Sequence, residues 1–543
     1  EARSLLPEYV AQASDKSAAY LVWAGYLETA QQAEQARTAY NRALEAAPDE
    51  PEVHLSIARF HGRIGEWGEA ADRAARHVEL LGQKAGPEDY RRLIEFRINA
   101  EQFDQASELI AQRLEASPDD AAVLAMKGLL AHRQGRDEDA LRWFQRSLEA
   151  DDEQTRALTW RAQLYLDQGQ VGKAEEDLER ARMIEQTPTV VRRLVSIYDD
   201  QDEFLKARAV LESYLAQNPN DINLQRMNLA LCRRHERYSL MQDSLAAAKK
   251  VMPRAPFLLT EEARMWLAVE QPNRALSALD ELAAVQRDEP QGDLLRMRAL
   301  HSVGRYQDVI RLGQRREKDP QVGVRALALM GVTYRAMGKE TEADRMFRKA
   351  VGLAAREEDL FFVVSQLRRA HPSGEVAARL EQWLGDRPDD WQLPYLLGNV
   401  HVSSREAKKA TAAYQKALGR TEPKSSERAT VLRSLALHLA TQGEHQRSAK
   451  AYEEALAIEP GSANTLNNYA WMLATDLGRL DEALEYSRKA VELLPNNASV
   501  LDTYGYILLL KGDLDEAARQ LFRATQQGQS AAAHLHYGQT LEK

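Results

Sequence analysis

His534 and His536 stand two residues apart near the end of the chain, a spacing that could serve a metal only if both rings faced one way. On a helix, residues two apart point to different faces, so this pair diverges. The remaining histidines, of 12 in all, are scattered. Cys232 is the only thiol, which excludes an internal disulfide and a thiolate metal cluster. It falls among apolar packing residues and reads as a small buried hydrophobe rather than a nucleophile. Neighbouring carboxylates such as Asp481 and Glu482 could act as acid and base, but they open a helix, where negative charge favours the N-terminus. No GxxxxGK[ST], GxGxxG, GxSxG or HExxH pattern is present. The chemistry-bearing residue types therefore predict no enzyme, no cofactor and no metal.

The elements that hold these residues are helices. Hydrophobic residues make up 44% and charged residues 28%, with Ala, Leu, Glu, Arg and Gln abundant. Runs of alternating Val, Ile and Thr that would build strands are absent. At 543 residues the chain exceeds what one core can serve, so it is several domains or a modular array. Its 72 Lys and Arg against 82 Asp and Glu leave a formal charge of −10, which argues against a general nucleic-acid binder. The longest apolar runs, LFFVV at 360–364 and YGYILLL at 504–510, fall short of the roughly 18–20 residues of a membrane helix.

The stretch GRLDEALEYSRKAVELLPNN at 478–497 has counterparts along the whole sequence. With Ala483 as register mark, equivalents stand at Ala36, Ala70, Ala106, Ala140, Ala174, Ala207, Met241, Ala275, Val309, Ala343, Ala377, Ala410, Ser448 and Ala517, spaced 33 to 38 residues apart and mostly 34. Counting that mark as unit position 20, and allowing one extra residue before the turn in the 35-residue unit of Ala483, a small residue recurs at position 8 (Ala58, Gly128, Ala162, Gly331, Gly398, Ala470, Gly505) and a Gly or polar turn seven residues later. A bulky residue follows at position 24 (Tyr40, Phe144, Leu178, Phe347, Tyr414, Tyr452, Leu521), and Pro often closes the unit (Pro48, Pro118, Pro219, Pro253, Pro460, Pro495). Small residues at positions 8 and 20 let two helices approach, the large residue fills the hole beside them, and Pro ends the second helix. The PDD, PND or PNN that follows supplies turn and cap chemistry.

These residues resemble the tetratricopeptide repeat (TPR) family across essentially the whole chain. The resemblance implies an all-α TPR solenoid, a right-handed superhelix of about fifteen helix-turn-helix repeats plus terminal half-repeats. The expected organisation is a half-repeat over 1–16, units 1–7 over 17–253, units 8–10 over 254–356, divergent units 11 and 12 with a loop over 357–428, units 13–15 over 429–529 and a half-repeat over 530–543. Departures from the pattern at RHERYSLM (234–241), HPSG (371–374) and EPKSSE (422–427) are expected as bends, longer loops or weak points. The half-repeats at both ends lead to the expectation that the sequence is trimmed, and they offer faces for self-association.

In this family the first helix of each pair lines the concave face, where positions 2, 5, 6, 9, 12 and 13 point inward by helical spacing. In the middle units those positions hold Arg192, Arg193, Ser196, Asn223, Arg226, Arg233, Arg234, Arg264, Arg298 and His301, a basic stripe in an acidic protein. Family members that grip peptide tails clamp a carboxylate with such residues, and the planar fork of Arg bonds two oxygens at once. Asp199, Asp200 and Glu261 are close enough in sequence to neutralise some of them. The last units present Asn399, Asn467, Asn468, Trp471, Asp502, Thr503 and Tyr506 instead, suited to a partner's main chain. Tyr469 and Tyr504, at position 7, are packing residues, and of the eight Trp residues Trp160 and Trp471 are the candidates outside the packing pattern.

The resulting expectation is a non-enzymatic scaffold or adaptor that holds one or more proteins or peptides in its groove, with no nucleic acid and no membrane span. The style of the sequence resembles bacterial envelope proteins of this family that assist exopolysaccharide export, outer-membrane assembly or delivery of substrates to a protease. A bacterial periplasm or envelope is the favoured location, with cytoplasm compatible. The alternative is the substrate-recognition arm of a larger enzyme, such as a glycosyltransferase.

Overall fold

Helices of 11 to 16 residues, mostly 13 or 14, alternate with short turns from Lys16 to Gln527, and a last helix, Ala531–Glu542, stands without a second member. The structure, a computed structural model, describes residues 9–29, 32–387, 389–527 and 531–543. Fifteen helix pairs and no strand occur among the described residues. The half-repeat expected over 1–16 lies partly outside them, as does the junction expected at 529. The chain divides into two compact units, 1–190 and 191–543.

The expected sterics of the pair are met atom by atom. A Cβ added to Gly128 would lie 2.6 Å from the Phe144 ring, one on Gly398 2.6 Å from Tyr414, and one on Gly505 2.6 Å from Leu521. Positions 8 and 24 therefore touch directly, and no side chain fits between them. The register residues Ala36, Ala70, Ala106, Ala140, Ala174, Ala207, Ala275, Ala343, Ala410, Ala483 and Ala517 are all at 0% exposure, as is Cys232 at position 11. The PDD, PND and PNN segments do cap: Asp120 Oδ1, Asp221 Oδ1 and Asn497 Oδ1 each accept two N–H groups of the next helix at 3.0–3.1 Å.

The turn between paired helices has one conformation in almost every unit. Position 15 lies in the left-handed region at Gly65, Gly135, Gly169, Gly304, Gly338, Gly443 and Gly512. Glu101, Asp202, Glu236, Glu270 and Arg405 take the same conformation without being glycine, at φ 54–62. RHERYSLM is therefore not a longer loop: it keeps the ordinary turn, with Glu236 in the left-handed conformation. HPSG is also not a longer loop. His371 and Pro372 alone separate the helices Glu357–Ala370 and Ser373–Asp386, so the turn is shorter than usual. EPKSSE does begin in a longer connection, after Leu418, and its last two residues open the 16-residue helix Ser426–Thr441. Replacing Glu236 or Arg405 by Gly relieves a conformation that costs L-residues about 1 kcal/mol. Each change should raise the urea midpoint by a corresponding amount, and a lowered midpoint would show that the side chain contributes more than the turn costs it.

In the second unit the stack returns upon itself. Asn496 Nδ2 donates to Gln201 Oε1 at 3.4 Å across 295 residues of sequence. Gln201 is buried there, at 2% exposure, and Arg523 holds the facing turn by donating to Pro495 O at 2.8 Å.

Candidate functional site

Successive first helices of the second unit bring four guanidinium groups into one cleft of about 360 Å³: Arg233, Arg264, Arg298 and Arg325, with Tyr238, Gln291 and Phe362 between them. They stand at unit positions 12, 9, 9 and 2, all of the inward set, so the helical period alone places them together. Acids neutralise part of the cluster. Arg264 Nη1 donates to Glu261 at 3.1 Å, Arg233 Nε lies 3.4 Å from the same carboxylate, and Arg325 Nε donates to Asp359 at 2.8 Å. Arg298 has no carboxylate within ion-pair reach among the described residues. It is open to solvent, yet surrounding protein and the like charges of Arg369 and Arg264 hold its guanidinium below the ordinary range. An accessible cation that its surroundings do not neutralise is suited to an incoming anion.

The rest of the expected stripe is divided. Arg226 stacks over the Phe257 ring at 5.0 Å. Arg234 pairs with Asp199, which also binds His235 Nε2 at 2.8 Å, so this guanidinium ties neighbouring repeats together. On the helix Pro188–Asp200, Arg192 is exposed and Arg193 half-buried. His301 Nδ1 lies 3.1 Å from Thr333 Oγ1, and burial lowers its pKa. Arg325 and Arg369 fall outside the expected set although both occupy inward positions, 2 and 12, and the same periodic count carried past the ninth unit finds them.

The C-terminal repeats bring other expected residues together. Trp471 stacks on Tyr506 with centroids 5.3 Å apart, and Tyr506 lies 4.2 Å from the His536 ring. His536 Nδ1 is 2.7 Å from Asp502 Oδ1. Burial raises the Asp502 pKa, while the bond to His536 opposes that shift. His536 falls outside the expected set, and its neighbour His534 faces solvent, so the two rings diverge. Asn468 is exposed, whereas Asn467 is buried and its Oδ1 lacks a hydrogen-bond partner. Asn399 does not join this group, since its Oδ1 accepts from Tyr414 at 2.7 Å within its own repeat. Trp160 packs in the first unit, 6.5 Å from Phe144. No three His, Cys, Asp or Glu side chains converge as a metal site among the described residues.

Sequence models described as "Tetratricopeptide repeat" match residues 21–89, 97–155, 395–463, 433–498 and 473–533, and a second such model matches 155–186 and 324–357. Together they cover more than half of the chain. It belongs to the tetratricopeptide repeat family. Arrays of tetratricopeptide repeats are in general non-catalytic scaffolds for protein–protein contact. Cellulose synthase operon protein C of Pseudomonas fluorescens is 24% identical over 481 residues, 84% of this chain and 35% of that protein. A TPR repeat-containing protein of Pseudomonas aeruginosa is 29% identical over 183 residues, 32% of this chain and 30% of that protein. The tetratricopeptide chain thus spans about a third of the length of the curated relatives it matches. Among solved structures, the APC/C assembly Cut9–Hcn1 aligns over 100% of this chain and 99% of that chain at 12% identity and a TM-score of 0.32. Yeast Tom70 aligns over 77% of this chain and 88% of that chain at 17% identity and 0.31. At these scores the likeness carries no argument. No described helix of the tetratricopeptide array is long and apolar enough to cross a membrane.

Proposed function

We propose that this chain is an adaptor that captures an acidic segment of a partner protein against the arginine cleft of residues 191–543. The observation that supports this reading is Arg298, accessible and without a carboxylate, sharing its cleft with Arg264 and close enough to Arg369 to feel its like charge. A carboxylate entering there meets guanidinium forks on several sides, and the surrounding protein strengthens each charge-assisted bond relative to water. The face of Trp471, Tyr506 and Asn468 would then hold a following, less charged stretch of the same partner, with Asn467, expected there, buried behind it. The name of the cellulose synthase operon relative supports an envelope setting in exopolysaccharide export, with outer-membrane assembly and protease–substrate delivery as the neighbouring roles. The chain's span of about a third of its relatives favours keeping a second reading, in which the array is the recognition arm of a longer enzyme such as a glycosyltransferase.

Replacing Arg264 and Arg298 together by Ser tests the capture. Both side chains are accessible, so the melting temperature should move little, the change in stability staying within about 0.5 kcal/mol. Crosslinking mass spectrometry from native cells at moderate salt should recover the partners of the wild-type chain with yields down by about tenfold, the cost of a truncated charge-assisted contact. Recovery of the same partners in the same amounts would remove the cleft from consideration.

A further inference from the structure

Unit position 7 ordinarily carries an apolar packing residue, such as Ile57, Leu93, Leu194, Leu397 or Leu435. Where it is polar, the structure supplies a partner on a facing second helix. Arg161 Nε and Nη2 donate to Asp177 at 2.8 and 2.6 Å, Asn228 Nδ2 donates to Ser244 Oγ at 3.2 Å, Lys249 Nζ donates to Glu262 at 2.5 Å, and Arg296 Nη1 donates to Asp280 at 2.5 Å. The fourth unit breaks this rule. Lys127 occupies position 7, and the residue sixteen further on, where the fifth unit has Asp177 and the seventh Ser244, is Trp143.

The Lys127 ammonium lies 3.7 Å from the centroid of the Trp143 ring. A cation–π contact is weak and leaves the charge in place. No carboxylate pairs with Lys127 among the described residues, and Arg146 stands close enough to act on it as a like charge. Around them opens a cleft of about 480 Å³ between the second helices of the third and fourth units, Phe103–Ala116 and Asp137–Ala150. Its floor is apolar, at Ile110, Ala111 and Leu130, and its rim carries Arg142 and Arg146. The one acid lining it, Asp139, is already held by Arg136 and Arg142. Arg146 lies over the Trp143 ring at 5.8 Å, and its contact with a carboxylate, Asp119, is long at 3.5 Å.

We propose that this cleft is a second docking site, on a different face from the first-helix groove, for an acidic partner peptide. Its carboxylate completes Lys127 and Arg146 as Asp177 completes Arg161, and its apolar residues lie on Ile110, Ala111 and Leu130. Charge complementarity commits the site to an anion, and the apolar floor commits it to a peptide in which carboxylates alternate with hydrophobic residues. A dense polyanion would bring like charge against Asp139 without using the floor.

The test uses the full chain carrying Arg264→Ser and Arg298→Ser, so that binding in the second unit does not contribute. A fluorescein-labelled peptide of alternating Glu and Leu is titrated by anisotropy, beside the same peptide with Gln for Glu and beside phosphatidylcholine vesicles with and without phosphatidylserine. The Glu peptide should bind, weaken with salt and shift Trp emission, while the Gln peptide should not. Lys127→Leu restores the residue type that other units hold at position 7, so it should melt at or above the parent while losing about tenfold or more in affinity. Equal binding of the Gln peptide, unchanged affinity in Lys127→Leu, or binding to phosphatidylserine vesicles without binding to the Glu peptide would each overturn the site. Because the background already lacks the arginine cleft, failure here leaves the proposed groove function standing, and failure of the groove leaves this site standing.

Discussion

Phe144→Ala should lower the stability of residues 1–190 by about 3–5 kcal/mol, the range for deleting a fully buried aromatic side chain. Phe144 is at 0% exposure, and its ring fills the space above Gly128 that no Cβ can share. Ala131, Ala140 and Leu164 pack around it with Trp160 at their edge, so alanine leaves a hole lined by small side chains that cannot move in to close it. In a linear array each repeat is stabilised by its neighbours alone, so the loss stays local. Hydrogen exchange should show the helices Ala121–Arg133 and Asp137–Ala150 losing protection while those from Ser426 to Gln527 keep theirs. A shift below about 1 kcal/mol in chemical denaturation would mean that the array collapses around the gap.

The second large effect is electrostatic. Arg161 and Asp177 form a two-pronged pair whose side chains are 13% and 7% exposed. Asp177→Ala leaves a largely buried guanidinium with only Gln145 Oε1, at 2.8 Å, as acceptor, and should cost about 3–5 kcal/mol. The double change Arg161→Leu with Asp177→Leu replaces the pair by the residue type of other repeats and should recover most of that loss. Thermal melts of the three proteins decide it: if the single and double variants melt together, the destabilisation comes from packing rather than from an orphaned charge.

The repeat was legible in the sequence because its marks answer to short-range sterics. Gly128 against Phe144 and Gly398 against Tyr414 are contacts sixteen residues apart within one unit, and they recur at Gly331 against Phe347 and Gly505 against Leu521. The caps at Asp120, Asp221 and Asn497 were legible for the same reason. The left-handed turns at Glu101, Asp202, Glu236, Glu270 and Arg405 were not, since packing of the paired helices imposes a conformation that these residue types do not signal. Of the candidate site, the period located Arg233, Arg264 and Arg298 and flagged Glu261 and Asp199 as acids able to neutralise the stripe. Which arginines they pair with depends on contacts between successive repeats. Glu261 serves Arg233 and Arg264, Asp199 serves Arg234, and Arg298 has neither. The ammonium of Lys127 escaped for a related reason. Its oddity is the missing acid at position 143, which only comparison with Arg161 and Asp177 reveals.

The hydrogen bond between Gln201 and Asn496 has a mechanical meaning. One amide-to-amide contact contributes about 1 kcal/mol, less than two units of thermal energy. Where Gln201 and Asn496 meet, the second unit is held together softly rather than rigidly. Breaking this bond leaves every helix pair folded, so a modest pull at this point can part the two turns of the chain that it joins.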